Sequence, residues 1–162
     1  RQLEASLQSN KGIFDGVKRL IDENENLKKE AEKFVKANAE ILKGMLLNNK
    51  RIVDGVTIIE AMVNVDSAMI KDIAFQLKGE CEKLICVIGG EFNDKPYLMV
   101  MLSNDMVQAG LHAGQLVKNA AKYVKGGGGG QPFFAMAGGS DASGLKEAVE
   151  SIKVEISSKV NF

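Results

Sequence analysis

A regular heptad pattern between Ile13 and Met45 constrains the fold of this chain more than any other sequence feature. Apolar positions recur there at alternating steps of four and three residues, which is the roughly 3.5-residue period of a coiled coil. A strand cannot satisfy this period, so the stretch predicts one long helix with an apolar seam. The oligomerisation residues predicted on the seam are Val17, Leu20, Asn24, Leu27, Phe34, Asn38, Ile41 and Met45.

Two polar residues occur on the seam. If the four-residue steps run from d to a, Asn24 and Asn38 both occupy a positions, where a polar residue sets register and partner number. Further apolar residues beside the seam widen the stripe, so two interpretations stay open: the helix dimerises, or it docks in cis. The regular heptads favour a homodimer, and Gly12 and Gly16 allow an interruption or hairpin near the start.

After residue 50 the pattern changes to short apolar runs that are typical of strands. Val56–Met62, Leu84–Ile88 and Tyr97–Leu102 predict three strands, and an amphipathic helix capped by Asp66 is predicted between the first two. A helix near His112, a strand at residues 133–137 and a final helix capped by Asp141 or Ser143 follow.

These elements together predict an α+β fold. A long N-terminal heptad helix forms a helical, coiled-coil-like subdomain at residues 1–50. A small glycine-rich globular subdomain follows at residues 51–162, with a mixed β-sheet flanked by helices.

Five consecutive glycines separate a lysine-bearing helix from an apolar run in the last third of the chain. Such a run implies backbone with positive φ, or backbone that something approaches closely. It leads directly into Pro132-Phe133-Phe134-Ala135, which favours a structured loop over a flexible linker. Exposed backbone amides beside a helix can form a concave anion site.

Three lysines beside the glycine run strengthen this prediction. Lys118, Lys122 and Lys125 are spaced i, i+4 and i+7 on one predicted helix face, and no acidic residue occurs between Asp105 and Asp141. This pattern indicates a phosphate-backbone footprint, although a solvated lysine face explains the lysines equally well. The predicted nucleic-acid-binding residues are Lys118, Lys122, Lys125, Gly126, Gly127, Gly128, Gly129, Gly130 and Gln131.

Composition excludes several other classes of protein. Basic and acidic residues both number 21, so any electrostatic argument must be local. No apolar run is long enough to span a bilayer. Cys81 and Cys86 lack a CxxC spacing and share the chain with a single histidine, so we expect no metal site, no catalytic residue and buried thiols in a reducing cytoplasm. The chain begins with Arg1 rather than Met, and we expect it to be part of a longer protein.

The amino-acid sequence around the glycine run resembles that of a known family. The resemblance rests on His112-Ala113-Gly114-Gln115-Leu116-Val117, on the glycines with Gln131-Pro132, and on Ala135-Met136-Ala137-Gly138-Gly139-Ser140-Asp141. These segments resemble the C-terminal, DHH-associated domain of alanyl-tRNA synthetases. Two positions depart from the family pattern: Lys125 replaces a glycine, and Met136 replaces a frequent glutamine.

The resemblance implies a tRNA-binding and oligomerisation or linker domain of an alanine–tRNA ligase, with tRNA(Ala) as partner, in the cytoplasm. It implies that the aminoacylation and editing modules, with their ATP and zinc, lie upstream, and that this fragment binds no cofactor and catalyses nothing alone. Two alternatives stay open: a purely structural dimerisation module, and the substrate-binding domain of a DHH phosphoesterase. The second resembles the chain less, because no Asp-His-His occurs in it.

Overall fold

The computed structural model describes residues 12–160, so the first eleven residues of the predicted helical subdomain lie outside the described residues. The chain divides by its internal contacts into two compact units, Arg1–Ile41 and Leu42–Phe162. The predicted domain boundary after residue 50 rests on a different criterion, the change of sequence period, and stays a prediction.

The heptad region forms a single helix, α1, from Ile13 to Asn48. The helix contains every predicted seam residue, and the predicted long N-terminal helix is confirmed. Its polar positions carry solvated charges, such as the i, i+4 ion pair of Arg19 with Glu23 at 3.6 Å. Most of its large apolar side chains are about half exposed or more, from 42% for Val17 to 81% for Phe14.

The second unit is built on one six-stranded sheet. Its strands are β1 (Arg51–Val53), β2 (Val56–Val63), β3 (Leu84–Phe92), β4 (Lys95–Leu102), β5 (Gly127–Gly130) and β6 (Phe134–Gly138). Their order is β1-β2-β3-β4-β6-β5, so β1 and β5 are the edges. Among the strand pairs of the described residues, only β2–β3 is parallel, and a helix, α2 (Ser67–Glu80), makes the crossover that such a pair requires. The predicted mixed sheet is confirmed.

Helices cover both faces of the sheet because consecutive strand residues point to opposite faces. One face packs α3 (Asn104–Gln108), α4 (Ala113–Ala120) and α5 (Leu145–Lys159) against a core that includes Val87, Val100 and Ala135. The intervening residues Cys86, Met99 and Met101 are fully buried on the other face, which α2 covers. Four α2 side chains are buried there: Ile70, Ile73, Ala74 and Leu77.

Local sequence signals explain where the elements begin. Asp66 is the N-cap of α2 and accepts a hydrogen bond from the backbone N–H of Ala68 at 2.8 Å, as predicted. Two elements of the sheet were not predicted from the sequence: the short edge strand β1 and the edge strand β5, which contains only glycine.

Candidate nucleic-acid interface

The glycine run forms an edge strand instead of a loop. β5 pairs antiparallel with β6 along one side, from Gly127 opposite Gly138 to Gly130 opposite Ala135, and all four of its residues are exposed. None of the five glycines from Gly126 to Gly130 has a positive φ. The predicted loop is therefore wrong, since Gly127–Gly130 are extended and paired with a neighbouring strand.

Steric crowding explains why every second residue of the run, Gly126, Gly128 and Gly130, is glycine. A Cβ built on Gly128 would overlap the Met136 carbonyl and lie 2.5 Å from Ala137 Cβ, and one on Gly130 would lie 2.6 Å from Ala135 Cα. Cβ atoms essentially never come this close to backbone, so these positions, and Gly126 in the same way, admit only glycine.

The glycines between them have no such internal cause. A Cβ on Gly127 or Gly129 would meet nothing within 4 Å, and neither residue has the left-handed φ that favours glycine. Neither packing within the chain nor backbone conformation requires glycine at these two positions. A bare backbone at these positions leaves room for the close approach of another molecule.

Helix α4 holds the end of β5 in place. A Cβ on Gly114 would lie 2.7 Å from Gly130 O, so the glycine in the first turn of α4 permits this close approach. The N–H of Ala113 donates to Pro132 O at 2.8 Å. His112 is the N-cap and accepts at Nδ1 from the N–H of Gln115 at 3.3 Å. The interpretation of His112 as a helix-start residue is confirmed.

The three predicted lysines do not share one α-helical face. Helix α4 ends at Ala120, a 3-10 turn covers Ala121–Val124, and Lys125 has a left-handed backbone with φ of 49°. The i, i+4, i+7 geometry therefore breaks down after Lys118. Lys118 and Lys122 remain exposed in successive turns, and Lys122 Nζ lies 5.2 Å from the centroid of the Tyr123 ring.

Lys125 has an acidic partner that the sequence interval concealed. Its Nζ lies 2.7 Å from an Asp141 carboxylate oxygen, because the chain returns to this end of the sheet after β6. The hydrogen bond to Asp141 raises the pKa of Lys125, and hydrogen bonds from Lys125 and Ser143 lower the pKa of Asp141 to about 2. The absence of acidic residues between Asp105 and Asp141 in the sequence therefore does not leave Lys125 without an acidic partner. Within residues 12–160, Lys118 and Lys122 form no ion pair.

Gln131 ends the strand and begins the hairpin to β6. Its backbone N–H donates to Phe134 O at 2.8 Å, and the residue is exposed. Lys118 lies on α4, Lys122 on the following 3-10 turn and Lys125 just before β5, and Gln131 directly follows that strand. These site residues stay a prediction.

The two cysteines of the described residues have environments that explain them without a catalytic role. Burial raises the pKa of the fully buried Cys86 to about 12, so its thiol is protonated at neutral pH and does not act as a nucleophile. Burial also raises the pKa of Cys81. Within residues 12–160, no group of three or more His, Cys, Asp or Glu is arranged to hold a metal ion. No helix in the same range combines the length and apolar character needed to cross a membrane.

A groove of about 490 Å³ lies near the opposite edge of the sheet, between β1, β2 and α5. Its rim charges pair with one another: Arg51 lies 2.9 Å from Glu60, and Lys153 lies 3.0 Å from Glu150. Because the basic groups already have acidic partners, this groove offers an anionic ligand less than the glycine edge does.

Sequence reasoning missed one surface beside the glycine edge, a cluster of lysine and phenylalanine side chains. It joins the outer side of α2 to the hairpin after β5 and consists of Lys71, Phe75, Lys78, Phe133 and Phe134. The i, i+4, i+7 spacing of the first three was visible in the sequence. Their proximity to the two hairpin phenylalanines required the tertiary fold.

Comparisons with known proteins agree with this fold. A family model described as the DHHA1 domain matches residues 55–158. The alanine–tRNA ligase of Bacteroides fragilis is 42% identical over 151 residues, which is 93% of this chain and 17% of that protein. The enzyme of the same name from Bacteroides thetaiotaomicron is 45% identical over 137 residues, 84% of this chain and 16% of that protein. The chain thus spans about a sixth of the length of these relatives.

A solved structure extends the comparison to three dimensions. The crystal structure of the C-Ala domain from Aquifex aeolicus alanyl-tRNA synthetase has a TM-score of 0.58 and 25% identity, covering 67% of this chain and 96% of that chain. The family and structural matches confirm the resemblance inferred from residues 112–142, together with the predicted fold class.

Proposed function

Because the chain belongs to the DHHA1 domain family, we propose that it is the tRNA-binding and linker domain of an alanine–tRNA ligase. In this proposal the domain holds tRNA(Ala) for the aminoacylation and editing modules of a longer cytoplasmic protein. ATP and zinc belong to those upstream modules. The fragment itself contributes binding and positioning without a catalytic residue.

The observation that carries the proposal is the bare backbone of Gly127 and Gly129 on an exposed sheet edge. Neither glycine is required by the chain's own packing, and nothing within 4 Å would obstruct a side chain there. An RNA backbone that approaches the strand closely would exclude side chains at these positions. The exposed amides and carbonyls of an edge strand are suitable hydrogen-bonding partners for phosphate and ribose.

Two lysines supply the electrostatic part of the binding. Lys118 and Lys122 are exposed and form no ion pair within the described residues, so both are available to phosphates. Lys125 contributes less, since Asp141 already lies 2.7 Å from its ammonium group. The proposal therefore assigns the main cationic contacts to Lys118 and Lys122.

A titration of labelled tRNA(Ala) with the 162-residue chain, followed by fluorescence anisotropy, tests this function. We expect salt-dependent binding that weakens by at least about tenfold in the Lys118→Glu/Lys122→Glu variant, because two phosphate contacts are lost and two repulsions are added. The matched control is Lys50→Glu/Lys83→Glu, which makes the same change in charge at exposed lysines beside β1 and β3, remote from β5 in the strand order. Equal affinity in both double variants would refute the lysine assignment.

The exposed seam of α1 favours a second role, homodimerisation. Leu27, Phe34 and Ile41 lie on this seam and are 64%, 71% and 63% exposed. Pairing with the seam of a second copy would remove this apolar surface from water, and Asn24 and Asn38 would face their equivalents across a parallel two-stranded coiled coil.

Sedimentation equilibrium, which gives the oligomeric state, separates the functional alternatives when it is combined with titrations of tRNA and nucleotide. A dimer that binds no tRNA would support the purely structural module. Nucleotide binding at the glycine edge without tRNA binding would support the DHH phosphoesterase alternative. A chain that binds tRNA(Ala) and dissociates to monomers on Leu27→Glu substitution would support both proposed roles.

A further inference from the structure

The lysine–phenylalanine cluster forms a surface of mixed chemistry beside the glycine edge. Phe75 and Phe134 contact each other with ring centroids 5.1 Å apart and planes tilted by 47°. The Lys71 ammonium lies 5.9 Å from the Phe134 centroid, and the Lys78 ammonium lies 4.0 Å from that of Phe133. Two cations and three aromatic rings thus meet within a small area.

Backbone hydrogen bonds fix the hairpin that presents this cluster. The N–H groups of Ala113 and Leu102 donate to Pro132 O and Phe133 O, and the N–H of Gln131 donates to Phe134 O, each at 2.8 Å. Because α4, β4 and the hairpin itself each supply one bond, the two phenylalanines are held before any ligand arrives. Such preorganisation lowers the entropic cost of binding.

Helix α2 carries four charged residues, Lys71, Asp72, Lys78 and Glu80, and its two lysines lie on one side. Lys71, Phe75 and Lys78 share one side by their i, i+4, i+7 spacing. Glu80 lies on the opposite side, where its carboxylate accepts a hydrogen bond from Lys43 Nζ at 3.0 Å. Within residues 12–160, neither Lys71 nor Lys78 forms an ion pair, so the cluster is cationic and open to an anionic ligand.

The exposed ring of Phe75 decides which ligand chemistry fits. Phe75 is 44% exposed and lies between Lys71 and Lys78 along the helix. A planar base can stack on an aromatic ring while its phosphates meet nearby ammonium groups, and this combination is the usual one for single-stranded nucleic acid. A base inside a duplex is already stacked on both faces, so a duplex could use only the lysines.

We propose that the lysine–phenylalanine cluster binds an unpaired nucleotide of RNA, with the base stacked on Phe75 and the flanking phosphates at Lys71 and Lys78. The inference rests on the proposed function and extends it, because it assigns a second contact on the other side of the glycine edge from Lys118 and Lys122. It also defines the class of nucleotide, namely one that is splayed out of a helix or lies in a loop.

Tryptophan fluorescence offers a direct test, because the sequence contains no tryptophan. A Phe75→Trp variant places the only indole of the chain at the proposed stacking position. The control is Phe92→Trp, since Phe92 is similarly exposed at 39% but lies at the end of β3, away from the hairpin. We expect a ten-nucleotide oligouridylate to quench the Phe75→Trp variant strongly, and the control and a blunt RNA duplex to give little change.

Affinity measurements with labelled oligouridylate and tRNA(Ala) complete the test. Phe75→Leu keeps an apolar side chain but removes the aromatic face, and we expect it to weaken oligouridylate binding by at least about fivefold. Lys71→Gln/Lys78→Gln should reduce the slope of log affinity against log salt by up to about 1.4 for a single strand. Unchanged melting temperatures would show that the variants are folded; if Phe75→Leu is destabilised, the quenching result decides.

The two proposals fail in different ways. If tRNA binding depends on Lys118 and Lys122 while oligouridylate neither quenches Phe75→Trp nor distinguishes Phe75→Leu from wild type, the cluster proposal is refuted and the proposed function stands. If no RNA is bound at all, both are refuted. Quenching of the Phe75→Trp variant by the blunt duplex as strong as that by oligouridylate would also overturn the stacking proposal.

Discussion

The alternation of crowded and open glycines in β5 leads to a prediction for two neighbouring positions. We expect Gly128→Ala to destabilise the protein and Gly129→Ala to leave it unchanged or slightly more stable. The methyl group on Gly128 would overlap the Met136 carbonyl and the Ala137 backbone, neither of which can move without disturbing β6. The methyl group on Gly129 would enter open space.

The expected change in the free energy of unfolding differs between the two variants because steric overlap acts at Gly128 and unfolded-state entropy acts at Gly129. Overpacking against fixed backbone costs about 1–3 kcal/mol, although detachment of the short edge strand limits the cost at Gly128. Gly→Ala at an unstrained site stabilises by about 0.4–1 kcal/mol, because it lowers the conformational entropy of the unfolded chain. The two variants should therefore differ by about 1.5–4 kcal/mol in free energy of unfolding.

Urea unfolding followed by circular dichroism measures this difference directly. The Gly128→Ala midpoint should shift to lower urea, with the Gly129→Ala midpoint equal to or above that of wild type. Equal destabilisation of both variants, or greater destabilisation at Gly129, would refute the assignment of the glycine run to an edge strand in this register.

The same pair of variants tests the reason for glycine at the open position. Gly129→Ala should fold normally yet bind tRNA(Ala) more weakly than wild type, because its methyl group stands where the RNA backbone approaches. Wild-type affinity in a fully folded Gly129→Ala protein would remove the observation on which the proposed function rests.

Three further predictions concern other parts of the chain. Asn38→Ile should change the oligomeric state of a dimer and raise its stability, which sedimentation equilibrium and thermal melting would detect; an unchanged state would argue against its a position in a parallel coiled coil. Tyr97→Phe should cost about 0.5–1.5 kcal/mol in urea unfolding, since the buried hydroxyl donates to Val65 O at 2.9 Å; no loss would contradict this hydrogen bond. The lowered pKa of Asp141, about 2 against 3.8, means that its pairing with Lys125 stabilises the fold above about pH 4 and is lost as the pH falls towards 2. Asp141→Asn should therefore weaken the decline in stability over that acid range, and an identical decline would refute the pairing.

Most elements with a hydrophobic period could be predicted from the sequence. The seam of α1, the face of α2 and the apolar runs of β2, β3 and β4 each match one period, and the structure places all five as expected. Their boundaries moved by a few residues; β3, for example, runs on through Gly89 and Gly90 to Phe92. Local pattern specifies α2, β2, β3 and β4 because their own side chains are buried in the core, whereas the seam of α1 is exposed and only its helical period marks it.

The glycine strand could not be predicted in this way. Glycine has low β propensity and no side chain to mark a face, so β5 exists only because β6 and α4 are already positioned to pair with it and contact it. The ion pair of Lys125 with Asp141 likewise joins residues on opposite sides of the β5–β6 hairpin. Long-range placement, which sequence spacing does not encode, decides both features.

The edge strand β1, which was not predicted, does have a recognisable turn signal in the sequence. β1 and β2 are joined by Asp54-Gly55, both with positive φ, of 50° and 79°. Asp-Gly between two β-branched runs is a strong hairpin signal, and its use would have predicted the edge strand Arg51–Val53.

We propose above all that this domain binds tRNA through Lys118 and Lys122 beside the glycine edge. The salt dependence of tRNA(Ala) binding tests it most directly, because each phosphate contact contributes about 0.9 to the slope of log affinity against log salt on a duplex. We expect the Lys118→Glu/Lys122→Glu variant to lose affinity and about 1.8 of that slope, and Lys50→Glu/Lys83→Glu to keep the wild-type slope. The same slope and affinity in all three proteins would contradict it.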